Sequence, residues 1–162
     1  MKLYMKEKFF SWTDRFTVKD EYDEDRYYVE GEFLSIGKKL HVLNTNNVEL
    51  AFIREKILSL FGRYIVEIDG REICQIVRKF SFLKQKYELE GVPWHVVGDF
   101  WAHEYTVYDG NREVMHLSKH WFTWGDSYEL EIMDPKDELL CLCIVLAVDA
   151  ALDSETAAAA AT

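Results

Sequence analysis

The stretch LLCLCIVLAVDAAL, residues 139–152, is apolar at every position except Asp149. A helix that is apolar nearly all round has no face to offer water, so it must be enclosed. At about 1.5 Å per residue its length is roughly 21 Å. That falls short of the roughly 17–25 residues that cross a bilayer, and Asp149 interrupts the run. Just upstream, Asp134-Pro135 reads as a helix start, with Asp as N-cap and Pro in the first turn. Asp137 follows three residues on, where an acid suits a helix N-terminus. A helix is therefore expected over about 136–152. The remainder, DSETAAAAAT at 153–162, reads as a low-complexity tail. The rest of the chain has to supply an apolar sleeve.

Six similar segments can supply it. They are FSWTDRFTV from Phe10, LSIGKKLHV from Leu34, LSLFGRYIV from Leu58, FSFLKQKYEL from Phe80, DFWAHEYTV from Asp99 and FTWGDSYEL from Phe122. The starts are 24, 24, 22, 19 and 23 residues apart, and the fourth unit carries one extra residue. First, third, seventh and ninth positions are apolar throughout, with Asp99 the single exception. Each unit reads as strand, short corner, strand, because positions two apart share a face. Asp69-Gly70 between Ile68 and Arg71 is a two-residue hairpin signal. With 2 prolines in the chain, little opposes a strand-rich fold. Twelve strands close into a barrel wider than the eight-stranded kind that fills with its own side chains. The expected fold is mainly β: one domain over 1–152, a twelve-stranded closed barrel with its hydrophobic C-terminal helix threaded through the centre.

Composition agrees with a single packed domain. The 162 residues are 49% hydrophobic, and 15% are aromatic, which excludes a disordered chain. The net charge of −10 argues against bulk nucleic-acid binding. No apolar run of signal-peptide length opens the chain. The odd set Cys74, Cys141 and Cys143 is no disulfide framework, so buried small hydrophobes in a cytoplasmic protein are expected.

The stretch GRYIVEIDGREICQIVRKFSFLKQKYELEG (62–91), then GDFWAHEYTVYDG (98–110) and the closing apolar helix with Asp149, resembles the LURP-one-related family. That family groups with the Tubby C-terminal domain and the phospholipid scramblases, and the chain looks most like its short bacterial members. The resemblance runs over about residues 1–152 and implies a twelve-stranded barrel around a central helix. It implies little about activity. Tubby domains bind phosphoinositides through basic residues and scramblases act on membrane lipids with calcium, but no catalytic set carries over onto this sequence.

The residues themselves offer no catalytic constellation. Ser11, Ser35, Ser59 and Ser81 share the second repeat position, a structural signature, and no Gly-x-Ser-x-Gly elbow exists. His116 and His120 are four apart on a strand, about 13 Å, too far for one ion. His41, His95 and His103 show no pairing. The loop DEYDED at 20–25 clusters five acids without EF-hand spacing, so a solvated turn is expected ahead of a weak divalent site. Asp149 on a buried helix must be paired, neutral or near a mouth. A non-enzyme without cofactor or metal is therefore expected.

Charge separates the two ends of such a barrel. The corners within units hold Arg15, Lys38, Lys39, Arg63, Lys84 and Lys86 against three acids, a net of +3. The turns between units and the helix start hold eleven acids against Lys136, a net of −10. Those six cations are the candidate ligand-binding set. The reading is a non-catalytic binding or scaffold protein that takes an anionic ligand or lipid headgroup at the basic end, or meets another protein. A lipid or small-molecule carrier and an unrecognised enzyme are the alternatives. The threaded helix opposes the carrier, because the lumen is already full.

Overall fold

A computed structural model describes residues 1–6, 15–32, 35–59, 62–79, 86–122 and 125–161, with backbone alone at 120–122 and 125–126. Twelve strands run in chain order: β1 (Lys2–Lys6), β2 (Phe16–Asp20), β3 (Asp25–Gly31), β4 (Lys39–Leu43), β5 (Glu49–Glu55), β6 (Arg63–Ile68), β7 (Arg71–Lys79), β8 (Lys86–Glu90), β9 (Trp94–Asp99), β10 (Glu104–Asp109), β11 (Arg112–Phe122) and β12 (Gly125–Ile132). All neighbours are antiparallel, and β1 closes onto β12 through Leu3↔Leu130. The order β8-β7-β6-β5-β4-β3-β2-β1-β12-β11-β10-β9 leaves one seam, between β8 and β9. The barrel is nearly, not fully, closed.

Inward positions alternate as a pleated strand requires. Leu3 and Met5 on β1, Tyr27 and Val29 on β3, Ala51 and Ile53 on β5, and Met115 and Leu117 on β11 are all buried. The even strands carry the repeat: Leu40, Tyr64, Tyr87, Tyr105 and Tyr128 at the seventh position, and Val18, Val42, Val66, Leu89, Val107 and Leu130 at the ninth, are buried too. Register shifts follow the ninth residue in four units, at Val18/Lys19, Val42/Leu43, Val66/Glu67 and Val107/Tyr108. A bulge adds local twist, and its recurrence helps a wide sheet curl.

The first half of the repeat differs from the expectation. Among the described residues, three of its first- and third-position apolar residues lie outside the core. Leu58 is 99% exposed, Ile36 81% and Trp101 55%, all in connections between strands. Asp99 is exposed at the end of β9. Phe10, Trp12, Leu34, Leu60, Phe80, Phe82 and Trp124 lie outside the described residues, as does the side chain of Phe122. Apolar residues two apart over only three positions fit a loop as well as a strand. Strands β3 and β5 end before Ile36 and Leu58, and β9 ends before Trp101, and twelve strands result either way.

The helix α1 spans Glu138–Ala160, longer than the expected 136–152. A 3-10 turn at Pro135–Asp137 precedes it, and the Asp134 side chain accepts from the Lys136 amide. Every residue from Cys141 to Leu152 is buried. Val145 is 1% and Leu146 4% exposed, and both join one core with residues from the surrounding strands. Residues 153–160 continue the helix past the buried section. Lys38, Tyr64 and Tyr87 all meet its second half, so the sleeve surrounds it.

Candidate functional site

At the end where the helix starts, Arg26 on β3 donates from Nε and Nη2 to the two carboxylate oxygens of Glu138, at 2.8 and 2.9 Å. Glu138 is buried, so this fork satisfies a carboxylate that would otherwise be stranded. The acidic loop folds on itself: Asp20 Oδ1 accepts from the amides of Tyr22 and Glu24 at 2.9 and 3.0 Å. Lys19 pairs with Asp23 at 2.8 Å. Among the described residues no group of three His, Cys, Asp or Glu side chains converges on a metal position.

At the opposite end the barrel wall grips the departing helix. Lys38 Nζ pairs with Asp153 and donates to the Ala150 carbonyl at 3.1 Å. Burial of Lys38 pulls its ammonium pKa down, and Asp153 opposes that without restoring it. The Tyr64 hydroxyl donates to the same carbonyl at 3.1 Å and lies 2.9 Å from Ser154 Oγ. Tyr87 and Arg78 both reach Glu155, at 3.1 and 2.9 Å. Deeper in, Asp149 Oδ1 lies 3.1 Å from His103 Nδ1, within ion-pair distance but off the hydrogen-bond direction. Burial raises the Asp149 pKa above the usual carboxylate range, with His103 pulling the other way. The Tyr105 hydroxyl is also buried and makes no hydrogen bond with the described residues.

The six candidate cations fare differently. Lys38 is spent on the helix. Arg15 lies 4.0 Å over the Tyr28 ring and pairs with Glu30 at 3.0 Å. Lys39 pairs with Glu32 at 3.0 Å. Arg63 pairs with Glu90 at 2.6 Å and also donates to Gln75. Lys84 lies outside the described residues. Lys86 is exposed at the start of β8 and makes no ion pair with the described residues. Lys6 at the end of β1 and Lys56 just after β5 are likewise exposed and form no ion pair with the described residues. Both lie a few residues outside the corner windows, so sequence reasoning missed them. Asp153 and Glu155 of the helix also bring two carboxylates to this end, which the count of corner charges leaves out.

The rim formed by Lys6, Lys56 and Lys86 also carries Ile36, Ile57, Leu58 and Trp101, all exposed. Ile57 packs against the α-carbon side of Gly37, where a Cβ would sit 3.1 Å from it, so the 36–37 and 57–58 loops touch. Leu58 adopts φ +68, a conformation that leucine rarely takes. Ser35 braces its own loop by donating to the Gly37 carbonyl at 2.7 Å, the structural role expected of the repeated serines. Ser11 and Ser81 lie outside the described residues. His41 lies between Glu49 and Glu32 on the outer wall. His116 contacts Thr106 and Glu104. The side chain of His120 lies outside the described residues. Cys74, Cys141 and Cys143 are free and buried, and burial pushes the Cys74 thiol up to about 12. Such thiols are inert at neutral pH. Among the described residues no helix is long and apolar enough to cross a membrane.

Comparisons with known proteins agree with this architecture. The X-ray structure of a protein from Arabidopsis thaliana superposes with a TM-score of 0.62 over 91% of this chain and 89% of that one. At 14% identity that likeness shows the fold alone. The uncharacterized protein YxjI of Bacillus subtilis (strain 168) is 36% identical over 152 residues, covering 94% of each chain. The model of the LURP-one-related family matches residues 1–149, and with a bacterial relative this similar the chain belongs to the LURP-one-related family.

Proposed function

We propose that the protein is a non-catalytic binding module that presents the rim around the helix exit to an anionic ligand or lipid headgroup. One observation carries this reading. Lys6, Lys56 and Lys86 are exposed cations without an ion pair among the described residues, set beside the exposed side chains of Ile36, Leu58 and Trp101. The other end holds the acidic turns, so an anionic surface is repelled there and attracted here. The filled lumen leaves the outside of the barrel for recognition. The same reading takes no catalytic role for Asp149, His103 or Tyr105. Asp149 and Tyr105 are buried, and His103 is partly exposed next to Asp149.

The test is co-sedimentation with phosphatidylserine vesicles at low salt. Retention is expected, falling several-fold as salt rises, because exposed charges are screened over about 10 Å at 0.1 M. Lys6→Glu, Lys56→Glu and Lys86→Glu combined should abolish it, while the fold, read by circular dichroism, stays intact. Absent retention, or retention that the triple variant leaves unchanged, refutes the reading.

A further inference from the structure

The seam between β8 and β9 has a built cause. The two strands follow one another in the chain, a hairpin arrangement, yet they share no ladder. Two glycines with positive φ flank the seam. A Cβ on Gly91 (φ +98) would sit 2.7 Å from the Ile73 carbonyl oxygen, so the turn after β8 presses onto β7. A Cβ on Gly98 (φ +145) would sit 2.4 Å from the Glu104 carbonyl oxygen, so β9 presses onto β10. Each strand is drawn to its paired neighbour and away from the other. At the corner end Phe100 bridges the gap, its ring 4.8 Å from Tyr87 edge-on and 5.3 Å from Tyr105.

Between these limits lies a fissure of about 530 Å³. That is within the range of small-ligand sites, roughly 300–1,000 Å³. Its inner side is apolar: Tyr87, Leu89, Trp94 and Val96. Trp94 and Val96 are only half-buried, unlike the core-facing residues named above on β1, β3, β5 and β11. An apolar surface is thus left partly wet beside the seam. One cation without an ion pair among the described residues, Lys86, stands at its edge. Lys86 stands opposite Lys79 across the β7–β8 ladder. Glu88 pairs with Lys79 at 3.1 Å, so its charge is taken and that of Lys86 is not.

We propose that this fissure is a lateral binding site for one anionic amphiphile, an alkyl chain or flat ring carrying a carboxylate. The apolar part lies against Trp94, Val96 and Leu89, and the carboxylate meets Lys86. The site is in the barrel wall, so the helix in the lumen does not block it, and it shares Lys86 with the proposed rim but not Lys6 or Lys56. It also requires no chemistry: the ligand is held, not converted.

The test uses monomeric decanoate below its micelle concentration, without vesicles, titrated into ¹⁵N-labelled protein. Saturable shifts confined to residues 86–89 and 94–98 are expected. Val96→Trp, which fills the fissure, should weaken binding at least tenfold. Lys86→Gln, an exposed change that spares the fold, should weaken decanoate at least threefold and leave decanol unchanged. Absent saturable shifts, shifts centred elsewhere, or a folded Val96→Trp that binds as well as the parent would overturn the proposal. An equal effect of Lys86→Gln on decanoate and decanol, including no effect on either, would overturn the anionic head. Lys6→Glu with Lys56→Glu, which weakens the rim and not the seam, should leave decanoate binding unchanged.

Discussion

The two ends of the barrel hold the same helix by different means. Where the helix starts, a single two-pronged pair, Arg26 on Glu138, satisfies one buried carboxylate, and the Asp134 side chain caps the turn before it. Where it leaves, Lys38, Tyr64, Arg78 and Tyr87 each make one or two polar contacts to Ala150, Asp153, Ser154 and Glu155. Behind them Asp149 and Tyr105 are buried with their hydrogen-bonding capacity incompletely used. The first end is an anchor. The second distributes its grip over many groups, leaves polar atoms short of partners, and puts exposed apolar and cationic side chains outside. One substitution can therefore test the first end, whereas the second shares its hold among several groups.

The largest expected effect tests the shared helix rather than either end. Leu146→Asp buries an unpaired charge in the lumen and should cost more than about 4 kcal/mol, enough to unfold the protein. A variant that melts like the parent in a thermal scan would contradict a helix enclosed by the barrel. Next comes the anchor. Arg26→Ala leaves Glu138 buried without its partner and should cost about 2 kcal/mol, less than for a fully buried pair because Arg26 is half-exposed. Adding Glu138→Gln should recover most of that loss in urea unfolding. An equal loss in single and double variants would mean that the fork anchors nothing.

The exit end should respond in the opposite direction. The Asp149 carboxyl has a raised pKa because it is buried, so the folded state holds its proton more tightly than the unfolded chain. Its contribution is present below the ordinary carboxylate pKa and is lost as pH rises through the raised value. Above the ordinary carboxylate pKa the raised value works against the fold, so Asp149→Asn should stabilise it at neutral pH by about 1 kcal/mol, some 2–4 °C. The gain should vanish near pH 3, and a gain of the same size at both pH values would show that charge is not its cause. The smallest effect is at Leu58. Leu58→Asn relieves a left-handed leucine and should stabilise by up to about 1 kcal/mol. On the proposed function it also weakens retention on phosphatidylserine vesicles. A variant that gains stability and keeps full retention would remove Leu58 from the recognition surface.

The twelve strands and the enclosed helix were legible because both rest on local apolar pattern. Tyr64, Tyr87, Tyr105 and Tyr128 recur at one repeat position, and all turn inward. Trp101, Ile36 and Leu58 were misassigned to the core for the same reason: hydrophobicity at period two does not say whether a strand has already ended. Of the candidate site, the acidic turns around the helix start could be read from the loops. The fate of individual cations could not. Lys38 and Arg63 look alike on paper, yet one holds the helix and the other is paired along the wall.

The sequence alone thus determined the fold class, the strand number, the direction of the helix and the acidic end. These follow from periodicity, caps and charge along the chain, which need no knowledge of distant neighbours. Folding sets which of the described lysines remain without an ion pair, that Asp149 faces His103, and that the wall stays open between β8 and β9. Each of these depends on groups far apart in the chain or on backbone crowding at Gly91 and Gly98. Such contacts exist only once the barrel has closed around its helix.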